Sequence, residues 1–137
     1  MSLMNVFDVT QSGLVAQSAR LNLVAENLAN ADIEASSPEQ AYRGQYPMFR
    51  AVLDEQNINA QGQGVRYEGP VEDTRQPKKL FDPGNPNANE EGFVFMSNVN
   101  TVEEMASMME ASRSYQTNVE VMNTAKQLMM RTLTLGQ

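Results

Sequence analysis

Phe7, Leu14, Leu21 and Leu28 recur every seven residues, and Gln17, Val24 and Ala31 follow three places after the last three of them. That recurrence is the a/d pattern of a helix that must lie against a partner helix along most of its length. From Gln11 to Ala31 only Arg20 and Glu26 carry charge. A solvent-bathed helix keeps a strongly charged outer face. This one is built to be surrounded.

A second helix of the same period is expected at the other end. Met108, Tyr115, Met122 and Met129 are spaced by seven, as are Met105, Ser112, Val119, Lys126 and Leu133, and six of the ten methionines fall here. Thr101 with Glu104 matches a capping box, and Asn100 with Glu103 competes on equal terms for the start. Glu103 and Glu104 suit the positive end of the helix dipole, Lys126 and Arg131 the negative end. No Gly or Pro intervenes before Leu133. The methionine stripe would also suit an adaptable binding groove, but a/d spacing favours helix-packing core.

Helix breakers crowd the middle. All six prolines lie from Pro38 to Pro86, and six of the eight glycines from Gly44 to Gly92. A proline costs about 3 kcal/mol inside a helix and a glycine about 1, so the ends are helical and the middle is not. The first helix should run from about Val6 to Ala31, with Gly13 its one weak point. Phe49, Ala51 and Leu53 alternate with Met48, Arg50 and Val52, as in a half-buried strand. Val65–Tyr67 and Val71–Asp73 flank Gly69-Pro70, a turn signal. Lys79–Phe81 and Phe93–Met96 flank the turn-rich Asp82–Asn87. The tract Asn57–Gly64 is polar and unpatterned. The expectation is an α+β chain: an N-terminal helix (1–31) and a C-terminal helix (99–137) paired as a coiled-coil-like hairpin, with a small antiparallel sheet of three to five strands in a middle region (32–98).

Such a hairpin is poorly covered by itself. Ordering each helical residue costs about 1–2 kcal/mol in backbone entropy, and one shared seam offsets little beyond that. The isolated ends are expected to fray until neighbouring molecules enclose them.

Composition removes most other functions. The chain has no cysteine and no histidine, which excludes disulfides, thiolate nucleophiles, zinc sites built on sulfur or imidazole, and histidine acid–base catalysis. A formal charge of −7 with ten scattered Lys and Arg argues against nucleic acid and anionic membranes. No apolar run reaches the roughly 18–20 residues that span a bilayer. MSLMNVFDV is no secretory signal. The carboxylate pairs Glu72/Asp73, Glu90/Glu91 and Glu103/Glu104 are sequence neighbours that point apart. Asp82, Asn85, Asn87 and Glu90 lack calcium-loop spacing. No cofactor, metal or catalytic residue is expected. For Asn27 and Asn30 two readings stand: one of them caps the first helix, or their amides bond to neighbouring subunits.

The stretch Ser12–Ala31, SGLVAQSARLNLVAENLANA, resembles the N-terminal signature of the axial proteins of the bacterial flagellum. The opening MSLMNVFDV, the block KKLFDPGNPNA and the ending ASRSYQTNVEVMNTAKQLMMRTLTLGQ are similar to proximal-rod members of that family. The resemblance implies a structural subunit of the basal-body rod. It implies export without a cleaved signal through the flagellar type III apparatus, and a place in the periplasmic rod. There the terminal helices pack against copies of the chain and other rod proteins, at the rod base and distal rod, as layers of a torque-transmitting tube. On that basis the assembly interface comprises Leu14, Leu21, Val24, Asn27, Leu28, Asn30, Met105, Met108, Tyr115, Val119, Met122, Met129 and Leu133. Many relatives follow the Asn-Leu-Ala-Asn motif with Thr and a Gly-Tyr or Gly-Phe turn. This chain instead runs Asp32-Ile33-Glu34-Ala35-Ser36. A cytoplasmic coiled-coil adaptor or export chaperone is the alternative, and an enzyme the third reading.

Overall fold

The computed structural model describes residues 3–52 and 64–135. Two long helices, α1 (Leu3–Ala29) and α2 (Thr101–Leu135), bracket five strands: β1 (Glu34–Ala35), β2 (Gln45–Ala51), β3 (Val65–Glu72), β4 (Lys78–Phe81) and β5 (Phe93–Met96). The fold is α+β, with both helices where the breaker-free ends placed them. At 35 residues α2 is about 50 Å long. Asn100 takes the capping role: its side-chain Oδ1 accepts from the Val102 N–H at 3.1 Å. Glu104 does not reach back to close a box on Thr101. It is buried and bonds elsewhere.

The strands form two sheets rather than one. β5 lies between β1 and β4, all antiparallel, and β2 pairs with β3 in a separate antiparallel ribbon. The 32–36 connection supplies β1, which pairs Glu34 with Met96 and Ala35 with Phe95. Asp82–Asn87 lies in the β4–β5 connection, where Asn85 Oδ1 accepts from the Asn87 N–H at 2.9 Å.

Gly69-Pro70 is not a turn. β3 runs straight through it, and the register steps from Met48 opposite Gly69 to Phe49 opposite Tyr67, leaving Glu68 as the extra residue of a bulge. Gly69 takes φ +114° there. Glycine and proline mark a break in regular pairing, and a bulge satisfies that mark as well as a reversal does. A two-stranded ribbon is all edge, so it tolerates Pro47 opposite Pro70. The half-buried part of β2 is Gln45–Pro47, whereas Met48 to Ala51 are exposed, Phe49 among them. Leu53 and the polar tract at 57–63 lie outside the described residues.

The ribbon lies along α1. At one end Gln45 bonds Asn27; at the other the Val65 N–H donates to Ser12 Oγ at 3.1 Å. Gly64, with φ +91°, closes that second contact, and a Cβ there would stand 2.3 Å from Ser12 Oγ. Gly64→Ala combines a left-handed backbone strain with a clash, and should cost about 1–3 kcal/mol. A urea midpoint unchanged from wild type would show that the ribbon is not anchored at Ser12.

Candidate assembly surface

The two helices run antiparallel. Asn27 Nδ2 donates to Glu104 Oε2 at 3.2 Å, and Arg20 pairs with Glu110 at 3.0 Å. Gly13 faces Asn118, and Val6 shares a groove with Ala125. Steps of seven down α1 meet steps of seven back along α2, so the heptad period is real. The expected row of Gln17, Val24 and Ala31 does turn inward, with Val24 and Ala31 buried; on α2 the inward row is not the methionine row. The buried residues of α2 are Glu104, Ala111 and Ala125, one heptad row that also contains Asn118. On α1 the buried residues are Thr10, Ala16, Leu23, Val24 and Asn27. Small side chains at Gly13, Ala16, Ala111 and Ala125 let the backbones approach, and this pulls the seam onto them.

Leu23 and Val24 are the large side chains buried on α1, and the other large residues of the two helices border the seam or leave it. Leu14, Leu21, Leu28 and Asn30 are half-buried on α1, as are Met108, Val119, Met122 and Met129 on α2. Met105, Tyr115 and Leu133 are exposed. Of the thirteen expected interface residues, only Val24 and Asn27 are buried within the chain. The row Met108, Tyr115, Met122, Met129 lies four positions after the seam row, beside it. The row Met105, Val119, Leu133 lies one position after it, about 100° around the helix. Together they form a largely apolar stripe on α2 next to the intrachain contact, interrupted by Ser112 and the exposed Lys126.

Two open grooves of about 400 Å³ each flank the seam. One is lined by Leu14, Val15, Ser18, Ala19, Asn22 and Tyr115. The other is lined by Val6, Val121, Leu128 and threonines 117 and 124 with Glu120 and Ala125. Among the described elements, α2 packs against α1 alone. Its final turns run on past the level of Val6, and Met130, Leu133 and Leu135 are 59%, 64% and 87% exposed. No described helix is long and apolar enough to cross a membrane.

At the other end of the hairpin a buried polar junction joins the helices to both sheets. Asn27, with no exposed surface, donates from Nδ2 to the Gln45 carbonyl (2.9 Å) and to Glu104. Its Oδ1 accepts from the Tyr42 hydroxyl (3.0 Å) and the Gln45 N–H (2.8 Å). Both hydrogens and both lone pairs of the amide are used. Of the two asparagines it is not Asn27 that caps α1, because its amide is taken up within the chain. Asn30 is the residue that terminates the helix, its Nδ2 donating to the Glu26 carbonyl at 2.8 Å. Burial, with the carboxylates of Glu26 and Glu104 adding, pushes the Tyr42 phenol above its ordinary range. Tyr46 is raised too, first by burial and then by Glu104.

Asn98 continues the junction: its Oδ1 accepts from the Gly44 N–H at 2.8 Å and its Nδ2 donates to the Arg75 carbonyl at 2.9 Å. The Arg75 guanidinium pairs with Asp73 at 2.6 Å and donates to the Tyr46 hydroxyl at 3.2 Å. Asp73 is held below its ordinary value of 3.8, chiefly by the Arg75 backbone N–H and then by its guanidinium. A carboxyl with a lowered folded pKa binds fewer protons folded than unfolded. Its contribution is complete above 3.8 and is lost as pH falls through the folded value. Asp73→Asn should therefore lower the urea midpoint at pH 7, and the gap to wild type should close in acid. A gap that persists unchanged at low pH would mean that the charge is not what stabilises this corner.

Sequence reasoning missed the seam alanines, Glu104, Tyr42 and Tyr46. The one available signal was the row 104, 111, 118 and 125, which is periodic but carries Glu, Ala, Asn and Ala. It offers no apolar contrast to read.

Residues 7–33 match the family model described as Flagella basal body rod protein, and residues 90–135 match Flagellar basal body rod FlgEFG protein C-terminal. The chain is 47% identical to the flagellar basal-body rod protein FlgC of Salmonella typhimurium strain LT2. It is 46% identical to FlgC of Escherichia coli O157:H7 and 45% identical to FlgC of Yersinia enterocolitica. Each match runs over 137 residues and covers the whole of both chains.

Proposed function

The chain belongs to the FlgC family of flagellar basal-body rod proteins, and on that footing we propose that it is a structural subunit of the proximal rod. Its terminal helices present apolar rows to copies of itself and to the other rod proteins around it. The observation that carries this reading is the imbalance on α2. Its seam with α1 takes small residues, while Met105, Tyr115, Leu133 and the grooves beside them stay open. A largely apolar stripe left open beside the intrachain seam marks a contact surface. Leu14, Leu21 and Leu28 border the same surface from α1.

The subunit reaches its place through the flagellar type III export apparatus, unfolded and without a cleaved signal, and assembles in the periplasm. It carries out no reaction. Closely packed helix layers compress little, so the assembled tube transmits torque. Nothing about the relatives favours a cytoplasmic adaptor. Fractionation tests the assignment: the chain should co-purify with detergent-extracted basal bodies, and should stay inside cells whose type III export is blocked. A chain found only in the cytosol of exporting cells would overturn it.

A further inference from the structure

We infer that Asn27 and Glu104 form a polar latch that selects the register in which α1 and α2 pair. The need for one follows from the seam. A one-heptad slip would bring Gly13 opposite Ala111 or Ala125 in place of Asn118, and small residues at all these positions let packing alone discriminate poorly between registers. The exposed Arg20–Glu110 pair adds little, because solvent-screened ion pairs contribute at most about 1 kcal/mol. The Asn27–Glu104 bond is different. Both partners are buried, Asn27 at 0% and Glu104 at 2% exposure, and the bond spans 77 residues of sequence.

A slip of seven residues one way would set Asn27 against Ala111 and carry Glu104 past the end of α1; a slip the other way would carry Asn27 past the start of α2 and set Glu104 against Arg20. Either way the buried Asn27–Glu104 bond is lost, and the Asn27 Nδ2 hydrogen that Glu104 accepts is left without that partner. Breaking a buried polar pair is strongly unfavourable, and fixing register is the best-attested use of such pairs. The latch also ties register to the middle region. Asn27 is held at the same time by Tyr42 and by both backbone groups of Gln45, so the helices lock only once the 42–45 segment is in place. A one-heptad slip moves the α2 terminus by about 10 Å relative to α1. The latch thereby sets how much of the Met130–Leu135 overhang protrudes, whatever neighbours meet it.

The absence of cysteine makes the test direct. Gly13 and Asn118 face each other in the observed register, so a G13C/N118C pair in the full chain reports it. G13C/A111C and G13C/A125C report the two slipped registers. In the otherwise unaltered chain the native pair should oxidise and the slipped pairs should not. In an Asn27→Leu/Glu104→Leu background, which leaves no unpaired charge buried, the ratio of native to slipped cross-link should fall at least about tenfold while circular dichroism keeps its helix signal. Glu104→Gln, which retains an acceptor for Asn27, should hold the native register. A double-leucine chain that cross-links only at the native pair, or loses its helices altogether, would overturn the latch. So would slipping in Glu104→Gln.

Discussion

Asn27→Leu is expected to cost roughly 3–5 kcal/mol of folding stability, as when a buried charged group is left without its partner. The loss has several sources at one point. The Glu104 carboxylate keeps its burial and loses its α1 donor. The Tyr42 hydroxyl, the Gln45 N–H and the Gln45 carbonyl lose their partner as well. A fully buried group left unpaired carries a desolvation penalty of about 1–3 kcal/mol; Tyr42 and Gln45 are half-buried and lose less. Domains of this size hold only about 5–15 kcal/mol in all, so the isolated variant should unfold at a much lower urea concentration. Asn30→Leu is the control, because that side chain serves only the end of α1. It should cost about 1 kcal/mol or less. Equal losses at the two positions would show that the junction is no more than a helix end.

Met105→Asp and Leu133→Asp should have the opposite profile. Both side chains are exposed, at 57% and 64%, and exposed substitutions away from special features usually fall within about 0.5 kcal/mol. The purified variants should therefore melt like the parent chain. In cells each would force a carboxylate into an apolar contact between subunits, at a penalty of several kcal/mol per contact. That penalty repeats at every position in a helical assembly. Swimming should be lost and basal bodies should lack a completed rod, while export of the variant continues. Normal motility with either variant would remove its residue, and the row it belongs to, from the contact surface.

The contrast between these variants shows where reading from sequence succeeds. Breaker-free ends, crowded breakers between them and a seven-residue recurrence were enough to place both helices and the α+β division, because each is a local or short-range property. The β4–β5 hairpin was legible for the same reason, through Lys79–Phe81, Phe93–Met96 and the turn formers between them. Gly69-Pro70 was legible as an interruption but not as a bulge, since the choice depends on whether β2 is present to pair on both sides of it.

By itself the sequence determined the helices, their shared heptad period and the absence of cysteine or histidine chemistry. The tertiary structure decided the phase of that period on α2: which row turns inward, and which stays exposed. Period is written in the spacing of side chains along one helix, whereas phase is a competition among faces for a partner many residues away. Here Gly13, Ala16, Ala111 and Ala125 allow the closer approach, and the Asn27–Glu104 bond finds its partner only across folded space. Those two effects turn the α2 side of the seam away from its methionines, while α1 still buries Leu23 and Val24.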